Sequence, residues 1–383
     1  MANPTTTRRL DSVSGMMKDW LNAPKAPEGT ERCFYTLWGR DDERLWETVP
    51  LEDFIGSVVE GTGRQDWRKL RPFDLLADID PVQGGVAQRL LYDGELLRVG
   101  AAHIVGAQPT FERAGDYDTI FFQFAGRALV ETSFGRYELN PGEALHIPAM
   151  VAHRTIGSPN CRRMEFYPRE LADPKLDPDA TTTETRFIVV PEGAPVVEEA
   201  LPEPVRPPSG KIREHLVHWA SRPGEDYLFE RSYDWMVGKA ETGRRPTKVR
   251  PFDYFKAPAD ASDKGPAAVR TALLWECATF RQRVYANPGR QPGAHRGYDE
   301  DEFWFQFCGP LDQMTEHGQY VVETGETSMA EAGISHTSIS RPGALRLTTY
   351  TPKPLRMVVE PGDHLRETRW QVKAIVVKGL DGR

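Results

Sequence analysis

The sequence predicts a mainly all-β protein built as two tandem β-barrels, with short helices confined to its N-terminal region. Two observations carry this. Short runs rich in Val, Ile, Phe, Tyr and Thr are separated by abundant Pro and Gly, 31 and 33 of 383 residues, which is the rhythm of a sandwich or barrel of short strands. The chain also repeats itself. Arg71-Pro-Phe-Asp74 recurs as Arg250-Pro-Phe-Asp253, and the stretch Asp116 to Phe124 aligns with Asp299 to Phe307. Gly126 then pairs with Gly309, Gly142 with Gly325, and His153 with His336, all at an offset of 183 residues (336 − 153). The first motif recurs at 179 (250 − 71), a difference of one short loop.

In chain order, Ser12–Asn22 and Pro50–Val59 read as short helices, the second with Pro at its start and acidic residues in its first turn. Thr119–Phe124, Arg127–Thr132, Phe187–Val190, Phe303–Phe307 and Leu345–Tyr350 read as strands. Between the copies, the proline-rich run from Pro191 to Pro208 resists regular structure and suits a connector laid on the surface or a loop. The expected organisation is a first barrel with a helical arm over residues 1–186, a connector over 187–210, and a second barrel over 211–383.

Composition narrows the function. A net charge of −8 argues against a nucleic-acid partner, which needs clustered Lys and Arg; the bursts Arg244–Arg245 and Lys248–Arg250 are short enough to be solvated surface. No apolar run is long enough to span a membrane, and the N-terminal run lacks a secretory signal. Cys33, Cys161, Cys277 and Cys308 are scattered without a CxxC pair, as expected of a reduced, cytoplasmic protein.

The second copy reads Pro292-Gly-Ala-His295-Arg-Gly297-Tyr-Asp-Glu-Asp-Glu302-Phe-Trp-Phe-Gln-Phe-Cys-Gly309. This run resembles the first motif of the cupin superfamily, whose barrels are of jelly-roll type. His295 and Glu302 stand at its outer ligand positions, Gly297 replaces the inner histidine, and Gly309 follows at the expected distance. The second motif resembles Thr324-Gly325-Glu through His336. The resemblance therefore implies a metal site of His295, Glu302 and His336, with Asp299, Glu300 and Asp301 crowding the same turn as competing carboxylates and His317 as a substitute imidazole. Two imidazoles and one carboxylate form the facial set that holds iron(II) and leaves neighbouring positions open. Each ligand also has an ordinary reading: a loop histidine, a solvated strand end, a hydrogen-bonded core histidine. The first copy carries Glu112, Thr119 and His153 at the matching positions, a poor iron set, so it is expected to be metal-free. His146 and the His215-Leu-Val-His218 pair lack further ligands at useful spacing. Gln306 matches Gln123 of the first copy, which points to a structural role in both.

The layout resembles homogentisate 1,2-dioxygenase and its hydroquinone-cleaving relatives over roughly residues 70–165 and 250–355, including the passage from Phe122 to Glu143 followed by Ile147-Pro148. The sequence departs from that pattern by one extra residue between His295 and Glu302, and by Ser and Thr beside His336. The resemblance implies Fe(II), O2 and a small aromatic diol, with ring opening as the reaction. Tyr298 and Arg296 are second-sphere candidates beside the metal; Arg296 or Arg290 is a candidate for a substrate carboxylate, and Phe303 and Phe305 for the pocket wall. A homo-oligomer is expected by analogy, and a second, different subunit is left open. Two other classes stay open: a redox-neutral metal-dependent isomerase, decarboxylase or lyase, and a non-catalytic binding protein.

Overall fold

A computed structural model describes residues 28, 30–36, 45–50, 69–76, 85–169, 173–174, 199–218, 227–251, 270–286, 294–297, 299–315, 318–340 and 344–359. The chain is nearly all sheet. Strands occupy Thr119–Ala125, Ala128–Thr132, Asp301–Cys308 and Leu345–Thr351, where the apolar runs predict them. Among the described residues the helical elements are short, Asp74–Leu76 and Tyr233–Met236. The predicted helix Ser12–Asn22 and the predicted strand Phe187–Val190 lie outside the described residues. The same holds for residues 51–59, while Pro50 itself closes the strand Leu45–Pro50. No helix among the described residues is long and apolar enough to cross a membrane.

The chain forms two compact units whose boundaries differ from the expected 1–186 and 211–383. The first-barrel unit comprises Leu70–Ala257, Leu274–Arg281 and Leu355–Arg383; the second-barrel unit comprises Met1–Lys69, Pro258–Leu273 and Gln282–Pro354. Residues 211–257 therefore belong with the first copy, and residues 1–69 with the second. Strand pairing gives the reason. Lys211–Val217 pairs in parallel with Thr110–Ala114, bringing His215 opposite Glu112, and then folds back on Tyr227–Ser232. Thr30–Thr36 pairs in parallel with Ala294–Gly297, bringing Phe34 opposite His295, and folds back on Leu45–Pro50. Each copy's leading hairpin thus extends the other copy's sheet. The loops that follow are exchanged too: Lys248 pairs with Glu143 at 2.7 Å, and Lys69 with Glu326 at 2.9 Å.

The first-barrel unit is organised on one 13-stranded sheet. Its core gathers Ile104, Phe121, Val130, Leu139, Leu145 and Ile147, each contributing about 1.5–3 kcal/mol by leaving water if large and fully buried. In the second-barrel unit, one sheet runs from the exchanged hairpin through Ala294–Gly297 to His336–Ser340, Leu311–Thr315 and Gly318–Val322; another orders Arg281–Ala286, Leu345–Thr351, Asp301–Cys308 and Thr327–Ala330.

The repeat is visible atom by atom. Gly126 and Gly309 adopt φ of 62° and 69°, a left-handed turn that disfavours a side chain. Beside them, Gln123 Nε2 donates to the carbonyls of Ala125 and Gly126, and Gln306 Nε2 to those of Cys308 and Gly309. That is the structural role expected of this glutamine. Asp118 accepts from the Ala149 amide at 2.8 Å, and Asp301 from the Ala332 amide at 2.9 Å. The described end of the connector has no regular secondary structure. It is tied down where Glu199 accepts from Ser158 and Asn160, and where Arg154 donates to the Val205 carbonyl.

His153 keeps its place in the first barrel, buried, with Nδ1 3.2 Å from the Val151 carbonyl. Burial lowers its pKa from 6.5 to about 4. The unfolded chain binds the extra proton between these values, so this histidine's contribution is complete above pH 6.5 and is lost as pH falls toward 4. That lowering corresponds to about 3 kcal/mol. Urea titrations from pH 7 to 4 should show stability falling in wild type and a flatter profile in His153→Gln; parallel profiles would refute the assignment.

Candidate metal centre

The strand Ala294–Gly297 delivers His295, and its antiparallel partner His336–Ser340 delivers His336 directly opposite in register. Glu302 comes from Asp301–Cys308, in the unit's other sheet. The three side chains are buried, and one donor atom from each lies within 4.8 Å of the others. Glu302 Oε2 is 3.2 Å from His295 Nε2 and 3.1 Å from His336 Nε2, with the imidazole centroids 4.0 Å apart. Of the carboxylates on the turn, Glu302 is the one that reaches both imidazoles. Asp301 instead holds the Ala332 amide, in the manner of Asp118.

The polarity of the trio fits a cation. His336 Nδ1 lies 3.1 Å from the Ile334 carbonyl, which only accepts, so the neutral ring carries its proton there and turns the Nε2 lone pair toward Glu302. A lone pair and a carboxylate oxygen converging in a buried site repel unless positive charge lies between them. Burial, then the neighbouring His336, holds His295 down at about 4, so its ring is neutral near pH 7. Burial acting alone would raise the Glu302 carboxyl, but His336 and His295 together pull it well below the usual range. Two imidazoles and a carboxylate held ionised are the donor set that a divalent first-row ion requires.

Two neighbours refine the site. Trp304, two residues along the same strand face, donates Nε1–H to Glu302 Oε1 at 2.5 Å, leaving Oε2 for the imidazoles. Gly297 shares the face of His295, and a Cβ there would meet Glu300 Cγ at 2.8 Å. Glu300 therefore occupies the room that a side chain at 297 would need, and the set stops at three donors. Removing the Trp304 donor should weaken metal affinity by about 10–100-fold, the usual effect of losing a group that orients a ligand. A chelator competition on Trp304→Phe tests this; unchanged affinity would show that Trp304 serves only the core.

The other sequence candidates divide. Phe303 and Phe305 lie on the strand face opposite Glu302 and Trp304, because side chains alternate, so they do not line the centre. Tyr298, Arg290 and His317, and the side chain of Arg296, lie outside the described residues. In the first barrel, His153 faces Glu112 as His336 faces His295, while His146 is bound 2.6 Å from Asp118. Among the described residues, His295, Glu302 and His336 are the one group of three placed to hold an ion.

Sequence reasoning missed the rest of the wall that carries Glu302. Glu302 lies beside Tyr350 in register, and Trp304 beside Thr348. The Tyr350 hydroxyl is 2.6 Å from that of Tyr285. Burial and then Glu302 push the Tyr350 hydroxyl well above its ordinary value, and burial raises Tyr285, so both remain donors at neutral pH. Arg346 stacks over the Tyr285 ring at 4.8 Å. These residues sit on strands where alternation with apolar neighbours carries no chemical motif.

No family model matches the chain, and no curated protein matches it in sequence. Solved structures that it is similar to are cupin proteins. A cupin 2 conserved barrel domain protein from Leptotrichia buccalis aligns with a TM-score of 0.45 at 9% identity, over 75% of this chain and 96% of that one. The E. coli protein Ylba aligns at 0.40 and 7% identity, over 74% and 89%. Oxalate decarboxylase from Bacillus subtilis, a protein with Mn(II) centres, aligns at 0.38 and 11% identity, over 71% and 77%.

Proposed function

We propose that this protein is a metal-dependent bicupin that uses iron(II) and O2 to open a hydroquinone-type aromatic ring. The observation that carries the reading is the convergence of His295, Glu302 and His336 with glycine, not histidine, at position 297. Three donors from two strands and a facing sheet leave neighbouring coordination positions for two reactants. When bound, iron(II) would supply electron transfer between a phenolate and O2 held side by side.

The chain's own residues do the rest. Glu302 offsets part of the ion's charge, and Trp304 fixes which carboxylate oxygen faces it. The Ile334 carbonyl fixes the tautomer of His336. The Tyr285–Tyr350 pair offers protonated hydroxyls on the wall that carries Glu302, able to hold a proton near a substrate oxygen. Burial of the whole group excludes water, which strengthens each of these interactions. Tyr298 and Arg296 are proposed as further second-sphere groups, and a homo-oligomer as the working assembly.

Anaerobic reconstitution with Fe(II) followed by oxygen-electrode traces on a panel of hydroquinones tests the reading. About one iron per chain and diol-dependent O2 uptake are expected. Metal uptake with no O2 consumption would instead favour a redox-neutral isomerase, decarboxylase or lyase. Unchanged metal content in His295→Ala would reduce the trio to a structural cluster in a binding protein.

A further inference from the structure

The first-barrel unit carries an open cavity of about 310 Å3, lined by none of the metal-centre residues. That volume falls at the low end of the roughly 300–1,000 Å3 of small-molecule sites. Every described residue that lines it belongs to this unit. Phe134, Met150 and Trp235 supply apolar surface, and Arg113, Lys239 and Arg244 supply charge.

The cavity is held in shape by the backbone. The segment after Tyr233–Met236 is tied to the hairpin of Ala128–Thr132 and Gly135–Leu139. There the Gly238 amide donates to the Thr132 carbonyl at 3.0 Å, and the Ala240 amide to the Ser133 carbonyl at 2.7 Å. Such a preformed site spares a ligand the cost of ordering it.

Met150 sets the cavity apart from its counterpart in the second barrel. It adopts φ of 68°, the one non-glycine residue with positive φ among the described residues. At the offset of 183 it corresponds to Gly333, with φ of 87°. The match holds in the backbone too: the Met150 amide donates to the Ala114 carbonyl at 2.7 Å, and the Gly333 amide to the Gly297 carbonyl at 2.6 Å. The fold therefore asks for this conformation but not for this side chain. The second barrel meets it with glycine, whereas the first keeps a strained methionine that is 51% exposed. Trp235, on the same cavity, is 54% exposed. Large apolar groups held in water around a cavity mark a binding surface.

Charge selects the ligand. Lys239 makes no hydrogen bond or ion pair with any described residue. Arg113 is paired with Glu214, but that carboxylate also holds Arg231 at 2.9 Å, so one acid serves two guanidinium groups. Both rings carry a further cation over a face, Arg245 over Phe134 at 5.7 Å and Arg231 over Trp235 at 5.5 Å. In a chain of net charge −8, cations gathered around one cavity focus a field that attracts anions.

We propose that this cavity is a second binding site, for a small aromatic carboxylate. The ligand's ring packs against Trp235, Phe134 and the Met150 thioether, and its carboxylate accepts from Lys239. The proposal does not depend on the chemistry assigned to the metal centre.

Anaerobic titration calorimetry of the Fe(II)-loaded chain tests it with benzoate and its neutral analogue benzyl alcohol. Wild type should bind benzoate at least about 10-fold more tightly, the gain from one charge-assisted contact. High salt should shrink that preference, because the lysine is exposed. Lys239→Gln should weaken benzoate about 10-fold and leave benzyl alcohol unchanged. Trp235→Phe should remove the tryptophan fluorescence change that benzoate causes. Stripping the metal with a chelator should leave benzoate binding intact, a comparison that needs no variant to fold. Absence of saturable benzoate binding, or an undiminished preference in Lys239→Gln, would overturn the site. Loss of benzoate binding on chelation would also overturn it, by moving the ligand to the metal centre.

Discussion

Glu302→Ala is expected to abolish metal binding. Anaerobic metal analysis should fall from about one ion per chain to background, and any metal-dependent activity should fall with it. The carboxylate is the one negative charge in the trio, and it touches both imidazoles through a single oxygen. Without it, two imidazoles would face a dication with no negative charge to offset its lost hydration. The loss should exceed the roughly 10–100-fold that removal of an orienting neighbour costs. The substitution also strips the acceptor from Trp304 Nε1, so the metal-free variant should lose about 1–3 kcal/mol of stability. Glu302→Gln separates the two effects, because an amide oxygen can still accept from the indole while the charge is gone. Full metal occupancy in both variants would mean that the ion, if one is bound, sits elsewhere.

Gly157→Ala is expected to be the most destabilising small substitution in the first barrel. Gly157 ends the strand His153–Gly157 beneath Gly106 and Ala128. A Cβ there would lie 1.9 Å from the Ile104 carbonyl oxygen and 2.8 Å from Cys161 Cβ. Neither neighbour is the free end of a flexible chain, so relief requires the sheet to part and the hydrogen bond from the Ile104 amide to the Cys161 carbonyl to stretch. A cost of about 4 kcal/mol or more follows, at the upper end for single substitutions. Denaturant unfolding should show it as a lower midpoint. A shift of less than about 1 kcal/mol would mean that the strands do not approach as closely as described.

The repeat explains how much could be read from residues alone. Two copies at one offset aligned His153 with His336 and Glu112 with His295, and the structure places His153 opposite Glu112 and His336 opposite His295 in register. The structural glutamines follow from that alignment, while the ligand trio follows from the resemblance of the second copy to the cupin motifs. The exchanged hairpins do not, because a parallel pairing such as Phe34 with His295 joins residues some 260 positions apart and leaves no local pattern. Phe303 and Phe305 were unreadable for a different reason: every residue of Asp301–Cys308 is buried, so the usual contrast between wet and dry faces is missing.

The crossed hairpins also bear on ancestry. A single-copy progenitor with this arm could complete its sheet only by receiving the same arm from a twin, each lending what it borrowed. Duplication within one gene would convert that swapped homodimer into a single polypeptide while preserving every strand neighbour. Once fused, the halves could diverge, one carrying Glu112, Thr119 and His153 where the other carries His295, Glu302 and His336.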